Sequence, residues 1–448
     1  MKHIARTTVA ALSAGAIALT LAACGSTSQS TGESKDGGAT EILVWSWEPT
    51  VTPVVKAFEK KHPEIKVKLV NAGTNKDEYT ALNNALEAGS GYPDVVQIET
   101  HALPEYVYKN QLKDLSDFGA KDYDGFYMPG IWSSVQINDG IYGLPMGAGP
   151  MAMFYNKEVF DKAGVTEVPT TWDEYYEAAK KIRAVGSYIT TDGLDAGQFD
   201  SFWWQAGGQP YAVDGENVTI DLTGDENVKK VNDYWQKMID EDLVLAGVTG
   251  WTDDWNRGLN DGSIATLLAG AWMPATLVNV APDGAGKWRV AQTPGWSEGD
   301  TSNCEHGGST LAMVEGIDEA KAKAAWTFMD FVSHDEEAIE IRRDNGAFPD
   351  DNGSLEDPGF LEATTLKNSA GEDIEYFGGQ KFNEEFATAA ANVKTKFENL
   401  PYEVYARGKF GDYVGYSRIK DSSIADGVAA WQKDLTDYGN SQGFTVKN

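Results

Sequence analysis

Between residues 41 and 98 the sequence alternates short apolar, β-rich runs with stretches that have helical spacing. The apolar runs occupy residues 41–47, 65–70 and 94–98, and the helical stretches occupy residues 53–61 and 78–88. This order of strands and helices predicts a parallel sheet covered by helices, which is an α/β fold. Ligands of such sheets bind at the carboxyl ends of the strands. The first candidate site residues are those at or just past these ends: Trp47, Glu48, Glu99 and His101.

The next part of the chain contains a segment with no polar face. Residues 140–156 (GIYGLPMGAGPMAMFYN) are apolar and punctuated by Gly and Pro, which predicts a buried, extended crossing between two parts of the fold. Thr171 and Glu174 then form a capping-box pattern that opens a helix to about Arg183. Further helices are predicted at 225–241, at 318–332 and within 380–437, a strand or helix at 264–268, and strands within 288–314.

The net charge of the chain argues against one class of partner. Its 37 Lys and Arg are outnumbered by 68 Asp and Glu, which leaves a formal charge of −31. Because this balance repels phosphate backbones, we expect no nucleic-acid partner. The 448 residues suffice for two or three domains. The 14 Trp are more than one core needs, which suggests that some of the indoles belong to a binding surface.

Residues 1–23 have the pattern of a bacterial secretory signal. Two basic residues, Lys2 and Arg6, precede a small, apolar run that is too short for a comfortable membrane span. The run ends in Leu-Ala-Ala-Cys24, which resembles a lipobox and implies that Cys24 receives lipid. The protein would then be lipid-anchored at the extracellular face of the cell membrane.

A polar tether follows this signal. Residues 24–39 contain no large apolar side chain and cannot form a packed element, so we interpret them as flexible. The only other cysteine, Cys304, lies in a segment of very different character, and we expect no disulfide with Cys24.

Catalytic and cofactor motifs are incomplete. The stretch Gly307-Gly308-Ser309-Thr310-Leu311 lacks the last glycine of a nucleophile elbow. Residues 147–152 match the loose G-x-G-x-x-A pattern, but Pro150 and the continuing strand pattern argue against a dinucleotide site. The histidines form neither an HExxH motif nor a close Cys/His cluster. We therefore predict no catalytic residue, no cofactor and no metal.

Two other functions stay open from the residues alone. With 68 carboxylates, some pair will have the separation that glycoside hydrolysis requires, although the strand and helix order does not give eight βα units. The residues therefore leave open a surface-anchored glycoside hydrolase and a non-transport lectin.

Several motifs in a fixed order resemble the bacterial extracellular solute-binding protein family 1, the carbohydrate-binding components of ATP-driven importers. The most specific stretch is YNKEVFDKAG followed by P-x-TWDE, within residues 142–174. The other matching stretches are the lipobox, ILVWSW (42–47), YPDVV (92–96), DGSIATLLAGAWMP (261–274), KWRVAQTPGW (287–296), HGGSTLAM (306–313) and AAWTFMDFVSHDEEA (324–338). Together they cover essentially residues 40–440.

This resemblance implies a two-lobe, periplasmic-binding-protein-like α/β fold with the ligand cleft between lobes joined by hinge crossings. Lobe one would comprise residues 40–149 plus 307–349, and lobe two residues 150–306 plus 350–448. The implied function is capture of an oligosaccharide by hinge closure and its delivery to the permease subunits of an ABC importer. The protein would act as a monomer and would not be an enzyme.

A sugar ring presents a face of C–H groups and a rim of hydroxyl groups, so its binding site needs flat aromatic rings and planar polar groups. Trp203 and Trp204 are neighbours that cannot both face one core, and we assign Trp204 to the cleft. Trp272 follows Gly270-Ala271, where small side chains let the backbone approach a ligand. The predicted ligand-binding residues are Trp47, Glu48, Glu99, His101, Trp204, Trp251, Asp254, Trp272, Gly307, Gly308, Ser309 and Phe377.

Overall fold

The computed structural model describes residues 38–448 except 192–194, 246, 394–395 and 416–421. The predicted signal peptide (1–23), Cys24 and most of the predicted tether (24–39) lie outside the described residues. Within the described ranges, no helix has both the length and the apolar character needed to cross a bilayer.

Short strands and helices alternate along the chain. The strands are β1 (Thr40–Trp45), β2 (Ile65–Val70), β3 (Val95–Glu99), β4 (Gln136–Ile137), β5 (Gly140–Ile141), β6 (Leu144–Pro145), β7 (Met151–Asn156), β8 (Thr190–Thr191), β9 (Tyr211–Asp214), β10 (Asn217–Ile220), β11 (Val244–Leu245), β12 (Thr266–Gly270), β13 (Trp288–Gln292), β14 (Ser309–Met313), β15 (Leu366–Lys367), β16 (Asp373–Ile374) and β17 (Thr445–Lys447).

The α-helices are α1 (Val51–Lys61), α2 (Lys76–Glu87), α3 (Leu103–Tyr108), α4 (Pro129–Ser134), α5 (Lys157–Lys162), α6 (Trp172–Ala184), α7 (Ala196–Gln205), α8 (Glu226–Asp240), α9 (Asp253–Asp261), α10 (Met273–Val280), α11 (Glu319–His334), α12 (Glu336–Asp344), α13 (Asn352–Glu356), α14 (Pro358–Leu361), α15 (Phe382–Ala391), α16 (Glu403–Phe410) and α17 (Ile424–Ser441). Short 3₁₀ turns lie at Ser116–Phe118, Ala120–Tyr123 and Pro282–Gly284, and a π-helical turn at Gly411–Gly415.

The largest sheet confirms the parallel arrangement predicted for the first hundred residues. Its strand order is β2-β1-β3-β14-β6, in which β1 pairs in parallel with both β2 and β3. The fourth strand, β14, comes from a distant part of the sequence and pairs antiparallel with β3, so that Ser309 lies opposite Glu99. The carboxyl end of β3 and the start of β14 therefore meet at one edge of this sheet.

A second, three-stranded sheet has the antiparallel order β12-β7-β13. Its central strand β7 alternates between two hydrophobic cores: Ala152 and Phe154 belong to the first core, while Met151 and Met153 belong to the second. Because successive side chains of a strand point to opposite faces, this sheet separates the two cores. The first core lies around the five-stranded sheet, and the second around α6, α7, α8 and α17.

Two segments connect the sheets side by side. The residues between β6 and β7 run next to those between β13 and β14. The N–H of His306 donates to the carbonyl oxygen of Gly149 (2.7 Å), and Pro150 and Glu305 form an isolated antiparallel β-bridge. Residues 140–156 are mostly buried and extended, as the sequence predicts. The lobe boundaries themselves stay a prediction.

Local signals explain where several helices begin. The hydroxyl of Thr171 accepts the N–H of Glu174, and the Glu174 carboxylate accepts the N–H of Thr171, which is the predicted capping box at the start of α6. Asp225 likewise caps α8.

Candidate functional site

One buried amide joins the ends of β1, β3 and β14. The Oε1 atom of Gln97 accepts the hydroxyl of Ser46 (2.6 Å) and the backbone N–H of Glu48 (3.2 Å). Its Nε2 atom donates to the Oγ atom of Ser309 (2.9 Å), whose hydroxyl donates to the carbonyl oxygen of Met146 (3.0 Å). Gln97 therefore ties the loop after β1 to the predicted site residue Ser309.

Trp47 and Glu48 lie in this loop, and both are half-buried. Strand β1 ends at Trp45, two residues earlier than predicted, because the N–H of Glu48 bonds to Gln97 rather than continuing the ladder with β2. The N–H of Ser46 still donates to the carbonyl oxygen of Val70 (3.0 Å). The two site candidates are thus held past the end of the strand.

Glu99 and His101 follow β3 at the same edge of the sheet. The phenol of Tyr79 donates to Oε2 of Glu99 (3.0 Å), and the Nε2 atom of His101 lies 4.0 Å from that oxygen. Burial lowers the pKa of His101 well below its usual value, so its ring is neutral at pH 7. Burial raises the pKa of Glu99, and the positive charge of Arg407 opposes that shift.

Trp272 and Trp251 form an aromatic pair. Their ring centroids are 5.8 Å apart and their planes are inclined by 25°, so the indoles stack. Trp251 is 62% exposed, the one large apolar side chain so exposed among the described residues, and has a φ of 68°. Beneath it, Trp255 is buried, with its ring centroid 5.4 Å from that of Trp251. An exposed indole supported by two others is a flat surface available to a ligand.

Gly307 and Gly308 place the backbone directly against this pair. Their φ angles of 86° and 105° lie in the region that favours glycine. A Cβ atom on Gly307 would lie 2.9 Å from Nε1 of Trp272. The carbonyl oxygen of Gly308 accepts the N–H of Thr100 (3.1 Å), next to Glu99. The crossing thus brings the indole pair and the carboxyl ends of β1 and β3 to one region.

Two predicted site residues have other surroundings. Trp204 is half-buried beside the second core, and its ring stacks on Phe397 with centroids 5.8 Å apart. Asp254 is exposed on α9 and pairs with Arg257 across 2.7 Å. Both stay predictions.

Phe377 does not fit its predicted role of covering a ligand. It is fully buried in the first core, with its ring centroid 5.0 Å from that of Phe382. Strand β7 contributes Phe154 to the same aromatic group, so the ring fills the core instead of facing a ligand.

Sequence reasoning missed a charged group centred on Arg407 in α16. Its Nη2 atom lies 3.0 Å from Oδ2 of Asp200, and its Nε atom donates to Oε1 of Glu403 (3.3 Å). Burial would lower the pKa of Arg407, but the carboxylates of Asp200, Glu403 and Asp195 raise it, so the guanidinium stays charged. No motif marks Arg407, because α16, α7 and β3 are far apart in the sequence.

The described residues contain no group of three or more His, Cys, Asp or Glu that could hold a metal ion. The remaining cysteine, Cys304, is buried, and burial raises the pKa of its thiol. The geometry therefore offers aromatic surfaces, backbone groups, carboxylates and one guanidinium for binding.

The mixed five-stranded sheet and the antiparallel three-stranded sheet are joined by paired crossings, and aromatic and polar residues gather beside one crossing. This arrangement is the two-lobe, periplasmic-binding-protein-like α/β fold of similar solved structures. The model of the bacterial extracellular solute-binding protein family matches residues 45–339, and the chain belongs to this family.

The similar proteins are binding proteins rather than enzymes. One solved structure is the ABC transporter associated binding protein from B. animalis subsp. lactis Bl-04 in complex with beta-1,6-galactobiose; it is 53% identical, with a TM-score of 0.83, over 92% of this chain and 100% of that chain. The galacto-N-biose-/lacto-N-biose I-binding protein from Bifidobacterium longum, in complex with lacto-N-biose, is 27% identical, with a TM-score of 0.77 over the same shares. The arabinooligosaccharide-binding protein of Bacillus subtilis is 29% identical over 346 residues, 70% of this chain and 77% of that protein.

Proposed function

We propose that this protein captures a short oligosaccharide and delivers it to the permease subunits of an ABC importer. The observation that carries the proposal is the stacked pair of Trp251 and Trp272 beside the Gly307-Gly308 crossing. An exposed indole face is complementary to the C–H face of a sugar ring. Carboxylates and backbone groups at the ends of β1 and β3 suit the hydroxyl rim, and hydrogen bonds to charged groups are the stronger ones.

The ligands of similar proteins support this class of ligand and suggest a first probe. Beta-1,6-galactobiose occupies the protein that is 53% identical, and lacto-N-biose occupies the one that is 27% identical. We therefore take a galactose-containing disaccharide as the first ligand to test. The proposed cleft lies between lobe one (40–149 plus 307–349) and lobe two (150–306 plus 350–448).

Calorimetry tests the ligand class directly. The chain carrying Cys24→Ala, which prevents attachment of lipid, is titrated with β-1,6-galactobiose, lacto-N-biose, arabinooligosaccharides, amino acids and short peptides. We expect saturable binding of at least one of these sugars with one site per chain. Binding of amino acids or peptides with no binding of any sugar would contradict the proposal, and release of new reducing ends from the sugar would favour a hydrolase instead.

We also propose that Cys24 anchors the protein in the membrane as a monomer on the extracellular face. The lipobox in the sequence supports this proposal. Cells that express the chain are fed a labelled fatty acid and then fractionated. The label and the membrane fraction should both contain the unaltered chain, and Cys24→Ala should lose both. Equal labelling of the two chains would contradict lipidation at Cys24.

A further inference from the structure

Helix α16 contacts both hydrophobic cores of the structure. Its residues Ala406 and Phe410 are buried in the second core, whereas the side chain of Val404, near its start, packs against the first core. The helix lies against α2 and α3. Since α3 belongs to the first core and begins just after the predicted site residue His101, α16 joins the second core to the site-bearing edge of the first.

The first turn of α16 is capped by a residue from outside the helix. The first N–H groups of a helix have no carbonyl oxygen one turn earlier to accept them. The side chain of Tyr402, at the N-cap position, makes no capping hydrogen bond, and the N–H of Glu403 donates to the carbonyl oxygen of Leu400 (3.2 Å). The N–H of Val404 donates to Oε2 of Glu105 in α3 (3.1 Å). A carboxylate of the first core therefore caps a helix that is anchored in the second.

The surroundings of Glu105 favour this cap. Its side chain is only 6% exposed, and its Oε1 atom accepts Nζ of Lys109, one helical turn later, across 2.7 Å. Both carboxylate oxygens are thus bonded, which a buried carboxylate requires. The bond to Val404 is charge-assisted, and a negative charge at a helix N-terminus is also favoured by the helix dipole. If α3 and α16 moved apart, Oε2 of Glu105 would lose this partner to water.

Two further contacts join the same parts of the chain. The ring of Tyr108 in α3 meets the ring of Phe444 edge-on, with centroids 6.3 Å apart, and Phe444 packs against the second core. The Nζ atom of Lys396 donates to the carbonyl oxygen of Gln136 (3.3 Å). The paired crossings connect the two cores covalently and persist when the cores separate, whereas these non-covalent contacts hold only while the cores are close together.

Resting on the proposed function, we propose that Glu105 is a latch for the closure of the two lobes around a sugar. Its bond to the N–H of Val404 forms in the closed protein and is replaced by bonds to water in the open protein. Because the sugar binds between closed lobes, a bond made only in the closed state raises the affinity for sugar. Glu105 is a positioning residue and does not touch the sugar.

Amide hydrogen exchange tests the latch without any change to Glu105. Exchange of the Val404 amide is measured on the Cys24→Ala chain, with and without saturating β-1,6-galactobiose. The sugar should slow this exchange at least about tenfold, because opening exposes the N–H to water. The amide of Val228, which Asp225 caps within the second core (3.1 Å), should exchange equally in both samples. Equal protection of Val404 with and without sugar would overturn the proposal.

The variants Glu105→Met and Glu105→Gln separate the hydrogen bond from the volume of the side chain. Methionine fills a similar space without an oxygen, and we expect it to lower the affinity for β-1,6-galactobiose about three- to tenfold, as the loss of a charge-assisted bond implies. The loss should appear as faster release of the sugar in stopped-flow fluorescence, because the latch acts after binding. Glutamine keeps an oxygen for the N–H of Val404 and should restore most of the affinity.

Two results with these variants would overturn the proposal. One is unchanged affinity and release in Glu105→Met, and the other is a loss in Glu105→Gln as large as that in Glu105→Met. If Glu105→Met does not fold, the exchange of the Val404 amide decides.

Asp318→Ala is a matched control, because it removes a carboxylate cap within the first core. Asp318 accepts the N–H of Lys321 (2.9 Å) at the start of α11. We expect this variant to unfold at lower urea concentration and to bind the sugar as before. A loss of affinity equal to that of Glu105→Met would trace both losses to stability and overturn the latch. If no oligosaccharide binds, the proposed function fails; sugar binding that is weakened by Trp272→Ala but unchanged in Glu105→Met refutes this inference alone.

Discussion

The indole N–H of Trp272 donates a hydrogen bond to the backbone carbonyl oxygen of His306 across 2.7 Å. This bond joins the helix start after β12 to the crossing that leads into β14. The exposed ring of Trp251 stacks on Trp272, so the orientation of the aromatic pair depends on the crossing. A movement of the crossing would therefore move the surface on which a sugar is proposed to stack.

Replacing either indole of the pair should weaken sugar binding. We expect Trp251→Ala and Trp272→Ala each to cost about 1–3 kcal/mol of binding free energy, the usual range for a buried aromatic contact with a ligand. Because Trp251 is exposed, its replacement should change the free energy of unfolding by less than about 0.5 kcal/mol. Calorimetry with β-1,6-galactobiose and urea unfolding measure the two effects.

Trp326 offers a control for the loss of an indole. It is half-buried on α11, with its ring centroid 5.9 Å from that of Phe118. We expect Trp326→Ala to lower stability and to leave affinity unchanged. Equal losses of affinity in all three variants would show that the stacked pair has no special role.

Adding a methyl group to the crossing should disturb Trp272. Gly307→Ala strains a backbone with positive φ and places Cβ against Nε1 of Trp272. Gly286 also has a positive φ, of 80°, but has open space around its Cβ position. Both variants should lose about 1 kcal/mol or more of stability from strain. In titrations with the sugar, only Gly307→Ala should also lose affinity; if Gly286→Ala loses as much, strain alone explains the effect.

Removing the buried amide of Gln97 should loosen the loop after β1. Gln97→Leu leaves the hydroxyl of Ser46 without its acceptor, and an unsatisfied buried group costs about 1–3 kcal/mol, while the Oγ atom of Ser309 loses one donor but keeps its bond to Met146. Denaturant unfolding should show this loss of stability, and sugar affinity should fall because the N–H of Glu48 loses its bond to Gln97 and keeps only the one to Ser46. Thr327→Ala, which removes an exposed hydroxyl bonded to its own helix, serves as the control and should change neither quantity.

The raised pKa of Glu305 should make the stability of the protein depend on pH. Burial raises its pKa to about 7, although the hydrogen bond from the N–H of Gly149 acts in the opposite direction. The unfolded chain has a pKa of about 4.3 at this residue, so the folded protein binds the proton more tightly between these values. The stabilising contribution is therefore complete below about pH 4 and is lost as the pH rises toward 7.

The variant Glu305→Gln should remove this loss while keeping an oxygen that accepts the N–H of Gly149. The free energy of unfolding of the variant minus that of the unaltered protein should be about 3 kcal/mol larger at pH 8 than at pH 4, because only the unaltered protein loses stability as the pH rises. Urea unfolding at both pH values checks this difference. A variant that differs from the unaltered protein by the same amount at pH 4 and pH 8 would contradict a protonated, buried Glu305.

Much of the fold could be predicted because its signals are local. The capping box at Thr171 and the apolar spacing of Val54 and Phe58 involve residues within one or two helical turns. The ends of strands are predicted less accurately. The strand or helix predicted at 264–268 is strand β12, which spans Thr266–Gly270. Where a strand ends depends on partners in other strands, as the bond from Glu48 to Gln97 illustrates.

The site was only partly predictable. Of two adjacent indoles, Trp203 is fully buried and donates to Asn232, while Trp204 is half-buried, which matches the argument that neighbours cannot share one core. That argument does not say which surface the second ring faces. The charged group around Arg407 could not be found at all, because tertiary structure brings its acidic partners together.

The most direct test of the account is a calorimetric titration of the Cys24→Ala chain with neutral oligosaccharides, repeated with Trp272→Ala. The account predicts saturable binding of β-1,6-galactobiose or a related short sugar at one site per chain, unchanged sugar after incubation, and clearly weaker binding by the variant. No binding of any neutral oligosaccharide, together with binding of amino acids or peptides, would contradict it.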